Sequence, residues 1–211
     1  MKKQFILLAL IVFSAFAFNN PDQRVFTASE IVWCGVDFSE AKCIGAEGFN
    51  EPDQVKDRYF DAWNQLVLDE GDKFNIQKFY SKSKQTNDLS VVNARNQMPE
   101  VGDLVINEPY AFKEGQLEKI ISSYNLEMAK EGVGVVYVVE ALNKTEQEAV
   151  IDVVFFDIAS KDILWTKQYK ESPKGFGFRN YWAGAIYKTM KASEKDFASA
   201  QKKASKTKSS K

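Results

Sequence analysis

The sequence contains no histidine and only two cysteines among its 211 residues. Without an imidazole, the chain can form neither a Ser-His-Asp or Cys-His catalytic centre nor a histidine-ligated zinc site. Two cysteines are too few for an all-cysteine zinc site or for the disulfide scaffold of a small secreted domain. The sequence therefore predicts no metal site and no cofactor, and it excludes the commonest classes of hydrolase.

The chain also lacks an excess of either charge, because 28 basic and 29 acidic side chains leave a net charge of −1. It has no overall basic character that would draw it to nucleic acid. Apolar residues make up 45% of the sequence and charged residues 27%, which is typical of soluble folded domains. This length favours one globular domain with short extensions.

Residues 1–17 have the pattern of a secretory signal peptide. Lys2 and Lys3 precede an apolar run over residues 5–13, and Ala15-x-Ala17 matches the small-residue cleavage pattern. A retained membrane anchor is the alternative, but the whole apolar stretch, residues 5–18, has 14 residues where a spanning helix needs about 20. We therefore expect cleavage after the second of these alanines. The mature protein would be exported, periplasmic or secreted, with no membrane span.

The hydrophobic pattern after this leader predicts a single α/β (α+β) domain over residues 25–190. Apolar residues at helical or alternating spacing mark its helices and strands, and three runs near the end are joined by short polar turns. We expect a mixed sheet with a C-terminal antiparallel three-strand meander and helices packed on the sheet. The predicted strands are residues 31–38, 74–80, 135–139, 150–158 and 163–169, and the predicted helices are residues 52–70, 117–128 and 180–190, with a further short helix at 89–94. The predicted core includes Val32, Val36, Trp63, Ile120, Val136, Val138, Val154, Phe156 and Ile186.

Residues 191–211 form a basic tail with seven lysines against two acidic residues. Beyond Phe197 the tail has no large apolar side chain, so it cannot bury enough surface to offset the entropy of ordering. We therefore predict a disordered tail. An electrostatic tether to an acidic partner or surface is the alternative role.

Cys34 and Cys43 can be interpreted in two ways. In an oxidising compartment, two cysteines nine positions apart could form a disulfide. Both could equally be buried free thiols, since Cys34 lies on the apolar side of a strand pattern. A catalytic thiol is disfavoured because no histidine is present to act as its base.

The segment around Gly175 is the strongest candidate for a site. Residues 174–178 match half of a signature of RNA-recognition domains, but Arg179 interrupts it and an exported protein does not meet cellular RNA. As a glycine-rich loop leading into a helix, the segment could bind an anion or a partner protein. The alternative is a structural corner in which Asn180 caps the helix and aromatic side chains, Phe176 among them, fill the core. The candidate binding residues are Lys174, Gly175, Gly177, Arg179 and Asn180.

Acid–base catalysis without histidine would need two neighbouring carboxylates. Four acidic residues lie in or beside predicted strands, namely Asp37, Glu140, Asp152 and Asp157. The sequence alone does not bring any two of them together, so no catalytic residue is assigned.

Two stretches carry a resemblance, residues 35–39 (GVDFS) and residues 155–184, which include FFD and GFGFRNYWAG. They resemble an uncharacterised family of small exported bacterial envelope proteins, and the resemblance covers most of residues 31–190. The order of elements is also similar to the α/β domains of the Tol-system translocation protein and of the curli secretion channel. These resemblances imply a non-catalytic envelope module, and they supply no site residues.

The function that we expect is therefore that of an exported, non-catalytic envelope protein that binds a partner protein or a small anionic ligand. A histidine-free hydrolase with paired carboxylates is the alternative. Two acids about 5–9.5 Å apart in a cleft would favour the hydrolase.

Overall fold

The computed structural model describes residues 22–209, and side chains up to residue 206. The predicted signal peptide lies outside the described residues. Seven strands form one sheet, β1 (Glu30–Asp37), β2 (Lys42–Ile44), β3 (Lys84–Asn87), β4 (Val105–Ile106), β5 (Val133–Asn143), β6 (Glu148–Asp157) and β7 (Ile163–Glu171). The helices are α1 (Gln23–Thr27), α2 (Pro52–Gln54), α3 (Phe60–Asp69), α4 (Ile76–Phe79), α5 (Ser90–Asn96), α6 (Val101–Leu104), α7 (Gln116–Ser122) and α8 (Phe178–Ser209). A π-helical turn, Val55–Tyr59, joins α2 to α3, and a 3-10 turn occupies Ala46–Gly48.

Strand β5 is the centre of the sheet. It pairs in parallel with β1 along its first half and with β2 along its second half, while β6 pairs with its other edge in antiparallel fashion. Parallel pairing continues from β1 to β3 and from β2 to β4, and β6 pairs with β7 in antiparallel fashion. The predicted single domain with a mixed α/β sheet is confirmed.

Alternate residues of β5 face two cores on opposite sides of the sheet. Val135 and Tyr137 belong to the larger core, which α3 and α8 cover, whereas Val136 and Val138 belong to the smaller core under α7. A strand that is buried on both faces reads as a continuous apolar run, as this one does. All nine predicted core residues are buried.

The two cysteines lie in different cores, Cys34 in the smaller one and Cys43 in the larger one. Both are free and fully buried thiols. The disulfide interpretation is therefore corrected, because a sheet separates the two side chains. Burial raises the pKa of both thiols above the ordinary range, so each behaves as a small apolar side chain.

The C-terminal helix corrects the prediction of a disordered tail from residue 191. Helix α8 begins at Phe178, two residues before the predicted start at Asn180, and it continues to Ser209. Phe197 is only 2% exposed, and Gln201 donates from its side-chain amide to the carbonyl of Phe26. Alanine and lysine are strong helix formers, so one buried aromatic ring and these side-chain contacts suffice to extend the helix.

Two shorter elements also differ from prediction. Residues 76–79 form helix α4 rather than a strand, because the Asn75 side chain accepts from the backbone N–H of Lys78 and caps a helical turn. Helix α7 ends at Ser122 rather than near residue 128, and Met128 is 79% exposed.

Candidate functional site

The first candidate is the loop of residues 173–177, here called the Phe176 loop, which joins β7 to α8. Its backbone is fixed to the first turns of α8, because Lys174 N–H donates to the carbonyl of Tyr181 at 3.0 Å and Tyr181 N–H donates to that of Gly177 at 2.9 Å. A Cβ at Gly184 would overlap the carbonyl oxygen of Lys174, and one at Gly175 would overlap that of Asn180. Glycine is therefore required at both positions for the loop to lie against the helix.

A cluster of aromatic side chains packs between the loop and the core. The Phe178 ring lies 4.6 Å from that of Tyr59 and 5.9 Å from that of Trp63, between ring centroids. The indole N–H of Trp63 donates to the backbone carbonyl of Arg179 at 2.8 Å. Phe49 stacks on Trp182 with centroids 5.6 Å apart. These contacts hold both the loop and the start of α8.

Phe176 stands at the tip of this supported loop, and its side chain is 97% exposed. The expectation that this ring fills the core is therefore wrong, whereas Trp182 does so. The predicted residues Lys174, Arg179 and Asn180 are also exposed. Arg179 Nε donates to Asn180 Oδ1 at 3.4 Å.

A shallow pocket of about 320 Å³ lies beside the loop. Gly175 and Gly177 line it together with Tyr181, and Lys144 places its Nζ 4.3 Å from the Tyr181 ring centroid. The three polar residues predicted for the site lie around the loop rather than on this pocket wall. Of the five predicted residues, only Gly175 and Gly177 therefore line the pocket.

The second candidate is a pair of carboxylates on β5 and β6. The side-chain amide nitrogen of Gln168, on β7, lies 3.3 Å from an oxygen of Glu140 and 3.3 Å from an oxygen of Asp152. The same Glu140 oxygen accepts the backbone N–H of Phe112 at 2.8 Å. Two of the four acids singled out in the sequence therefore lie together.

A cavity of about 450 Å³ opens over Glu140 and Gln168, with Tyr110 and Phe112 on its wall. Asp152 does not line that cavity. Burial, together with the neighbouring Glu140 charge, raises the pKa of Asp152 to about 6, although the hydrogen bond from Gln168 opposes the shift. Only one of the two carboxylates therefore faces the cavity.

The other two acids serve the fold. Asp37 is fully buried, where it pairs with Arg95 at 2.8 Å and accepts the Tyr124 hydroxyl at 2.5 Å. Asp157 accepts backbone N–H groups of the turn after β6, and those bonds hold its pKa below the usual range. Within residues 22–206, no cluster of three or more potential metal ligands occurs.

Sequence reasoning missed two features of these sites. Alternation along β7 could have placed Gln168 on the same face of the sheet as Asp152. Tyr169, next to Gln168, faces the larger core, as do the two neighbours of Asp152, so both polar side chains face the opposite side. The sequence contains a weaker indication that Phe176 is exposed, namely the glycine on each side of it.

Comparison with known proteins gives a weak similarity to a solved structure. No family model matches the chain, and no curated protein matches it. Among solved structures it is similar to the LpoB C-terminal domain from Salmonella enterica, with a TM-score of 0.30 and 7% identity over 74% of this chain and 99% of that chain. A similarity this weak supports no inference about function. Among the described residues, no helix is long and apolar enough to cross a membrane.

Proposed function

We propose that the chain is an exported, non-catalytic protein of the bacterial envelope that binds a partner protein through the Phe176 loop. One observation carries the proposal, the 97% exposure of a phenylalanine ring at the tip of a loop that is fixed on both flanks. Export is inferred from the signal-like residues 1–17.

An exposed phenylalanine is costly in water, and aromatic anchors supply much of the free energy of binding at protein interfaces. Because the loop backbone is already held by α8, little conformational entropy remains to be lost when a partner covers the ring. We expect burial of this ring to contribute about 2 kcal/mol to binding.

The charges around the ring indicate the kind of partner surface. Lys174 and Arg179 flank Phe176 and are exposed, so the complementary surface would combine an apolar pocket with acidic side chains. A small anionic ligand at the start of α8 is the alternative occupant of this corner, since backbone N–H groups of a helix N-terminus favour anions.

Capture from a periplasmic extract by wild-type protein and two variants tests the proposal. We expect a partner that wild-type protein retains to be lost with Phe176→Ser and kept with Met128→Ser, which removes another exposed apolar side chain. Both variants should keep the wild-type melting temperature. A partner retained equally by all three proteins would refute a role for the loop, and saturable phosphate binding by wild-type protein that Phe176→Ser leaves intact would favour the anion alternative.

A histidine-free hydrolase remains the second candidate, because Glu140 and Asp152 share one amide partner. The raised pKa of Asp152 would suit a general acid of the kind that glycosidases use. Against catalysis, Asp152 does not line the cavity. A panel of aryl glycosides tests this candidate, and turnover that Glu140→Gln abolishes without unfolding the protein would establish it.

A further inference from the structure

The outer face of the second half of α8 carries a straight row of lysines. Lys191, Lys195, Lys202 and Lys206 are exposed and spaced at i, i+4, i+11 and i+15, which places them on one side of the helix. At about 1.5 Å per residue, the row is about 22 Å long. We call these four residues the lysine row.

The opposite side of the same helix packs into the protein. Met190, Ser193 and Phe197 are buried there, and the row therefore points away from the core along its whole length. The two acidic residues of this part of the helix lie off the row, and Asp196 is held by Lys167 at 2.7 Å. The outer face is thus uniformly basic.

The rest of the chain has the opposite charge. Residues 22–190 contain 19 basic and 27 acidic side chains, whereas residues 191–211 contain seven lysines and two acids. An anionic surface would attract α8 and repel the body of the domain, so the protein would approach such a surface with the lysine row foremost.

The side chains between the lysines indicate which anionic surface fits. Ala198, Ser199 and Ser205 are small, and the row has no aromatic or large aliphatic residue that could anchor a protein interface or enter a lipid core. Hydrated lysines in a flat row suit lipid phosphate groups, which require no fixed hydrogen-bond geometry.

From this arrangement we propose that the lysine row is a docking surface for a bilayer rich in anionic phospholipid. The contact is peripheral and electrostatic, and it leaves the Phe176 loop, at the other end of α8, open to a partner. The proposal is independent of the function proposed for that loop.

Sedimentation of the full chain with lipid vesicles tests the proposal. Wild-type protein should bind vesicles of phosphatidylglycerol mixed with phosphatidylcholine, and high salt should release it, because the screening length falls to about 3 Å at 1 M. Pure phosphatidylcholine vesicles are the control. Binding to them would measure insertion of the apolar N-terminal residues, because that insertion does not depend on lipid charge.

A matched pair of triple variants separates the row from net charge. Each lysine near an anionic surface contributes about fivefold to binding, so Lys191→Gln with Lys195→Gln and Lys202→Gln should weaken binding about a hundredfold. The control changes the exposed Lys78, Lys113 and Lys119 to glutamine and removes the same charge elsewhere. It should bind nearly as wild-type protein does, and both variants should keep the wild-type melting temperature.

Three results would overturn the proposal. These are absence of wild-type binding to the anionic vesicles, equal binding to both vesicle types, and equal losses in the two triple variants. If wild-type protein ignores the vesicles while the row variant loses an acidic protein that the control retains, the row is a protein-binding surface and the lipid proposal fails.

Discussion

Replacing Arg179 should leave the stability almost unchanged, whereas replacing Trp63, which donates to the Arg179 carbonyl, should lower it. The Arg179 side chain is exposed, and its Nε donates to Asn180 Oδ1 in a long hydrogen bond of 3.4 Å. Arg179→Ala should therefore change the free energy of unfolding by less than about 0.5 kcal/mol. For a domain of this size that corresponds to a melting temperature shift of less than about 2 °C.

Trp63→Phe is the comparison variant, and we expect it to destabilise the protein. Trp63 is fully buried, and its indole N–H donates to the Arg179 carbonyl at 2.8 Å. The variant leaves that carbonyl without its donor, at a cost of about 1 kcal/mol, and the smaller ring leaves a gap that costs about 1–2 kcal/mol more. The sum predicts a melting temperature about 4–12 °C lower.

Thermal unfolding followed by circular dichroism measures both variants, with partner capture measured in parallel. We expect Arg179→Ala to weaken partner binding at an unchanged melting temperature. A fall as large as that of Trp63→Phe would refute this reasoning. It would show that the guanidinium is part of the scaffold, and the assignment of the charged residues to a binding site would have to be withdrawn.

Three further predictions concern the body of the protein. Because the pKa of Asp152 is raised to about 6 from an ordinary 3.8, the folded state holds the proton more tightly, and stability should fall as pH rises from about 4 to about 6. Asp152→Asn should therefore raise the free energy of unfolding by up to about 3 kcal/mol near pH 7 and by little near pH 4. Urea titrations at both pH values measure this, and an equal gain at both would contradict the account. Both buried cysteines should resist a thiol reagent such as Ellman's reagent in the folded protein and react only after unfolding, whereas a quantitative loss of thiols on purification would indicate the disulfide. Phe197→Ala should cost about 3–5 kcal/mol, because its ring packs within 5.2 Å of Phe26, Tyr80 and Phe155 between centroids; an unchanged melting temperature would show that the tail is not part of the fold.

The sequence was most informative where burial requires a regular spacing of apolar residues along a strand or helix. The continuous apolar run of β5 predicted that strand and its core residues, because each side chain there must face a core. The pattern along β1 located the strand, but a register shift between Trp33 and Val36 puts Val32 and Val36 in different cores rather than on one face. The helix over α3 was equally clear, since Trp63 and Leu66 lie on one buried face.

Prediction failed where a few long-range contacts outweigh local composition. The segment after residue 190 is rich in lysine and serine, yet Phe197 reaches a cluster formed by residues far away in the chain. Neither its composition nor its spacing reveals that cluster. The prediction of a strand over residues 74–80 failed for a local reason, because the cap supplied by Asn75 stabilises a helical turn in this apolar stretch.

The candidate sites were predictable only in part. Glycine spacing located the corner before α8, but the outward direction of Phe176 depends on close packing of Lys174 against Gly184, which only the folded backbone defines. Likewise, Glu140 and Asp152 are twelve residues apart in the chain, and the register between β5 and β6 is what brings them to a common partner.

Site-specific photo-cross-linking at position 176 tests the central claim most directly. Benzoylphenylalanine replaces Phe176 in the protein expressed in its own cells, and the same analogue at the exposed position 128 serves as the control. The account predicts a discrete cross-linked adduct with one envelope protein from position 176 and none from position 128. Absence of any adduct at position 176, or the same adduct from both positions, would contradict it.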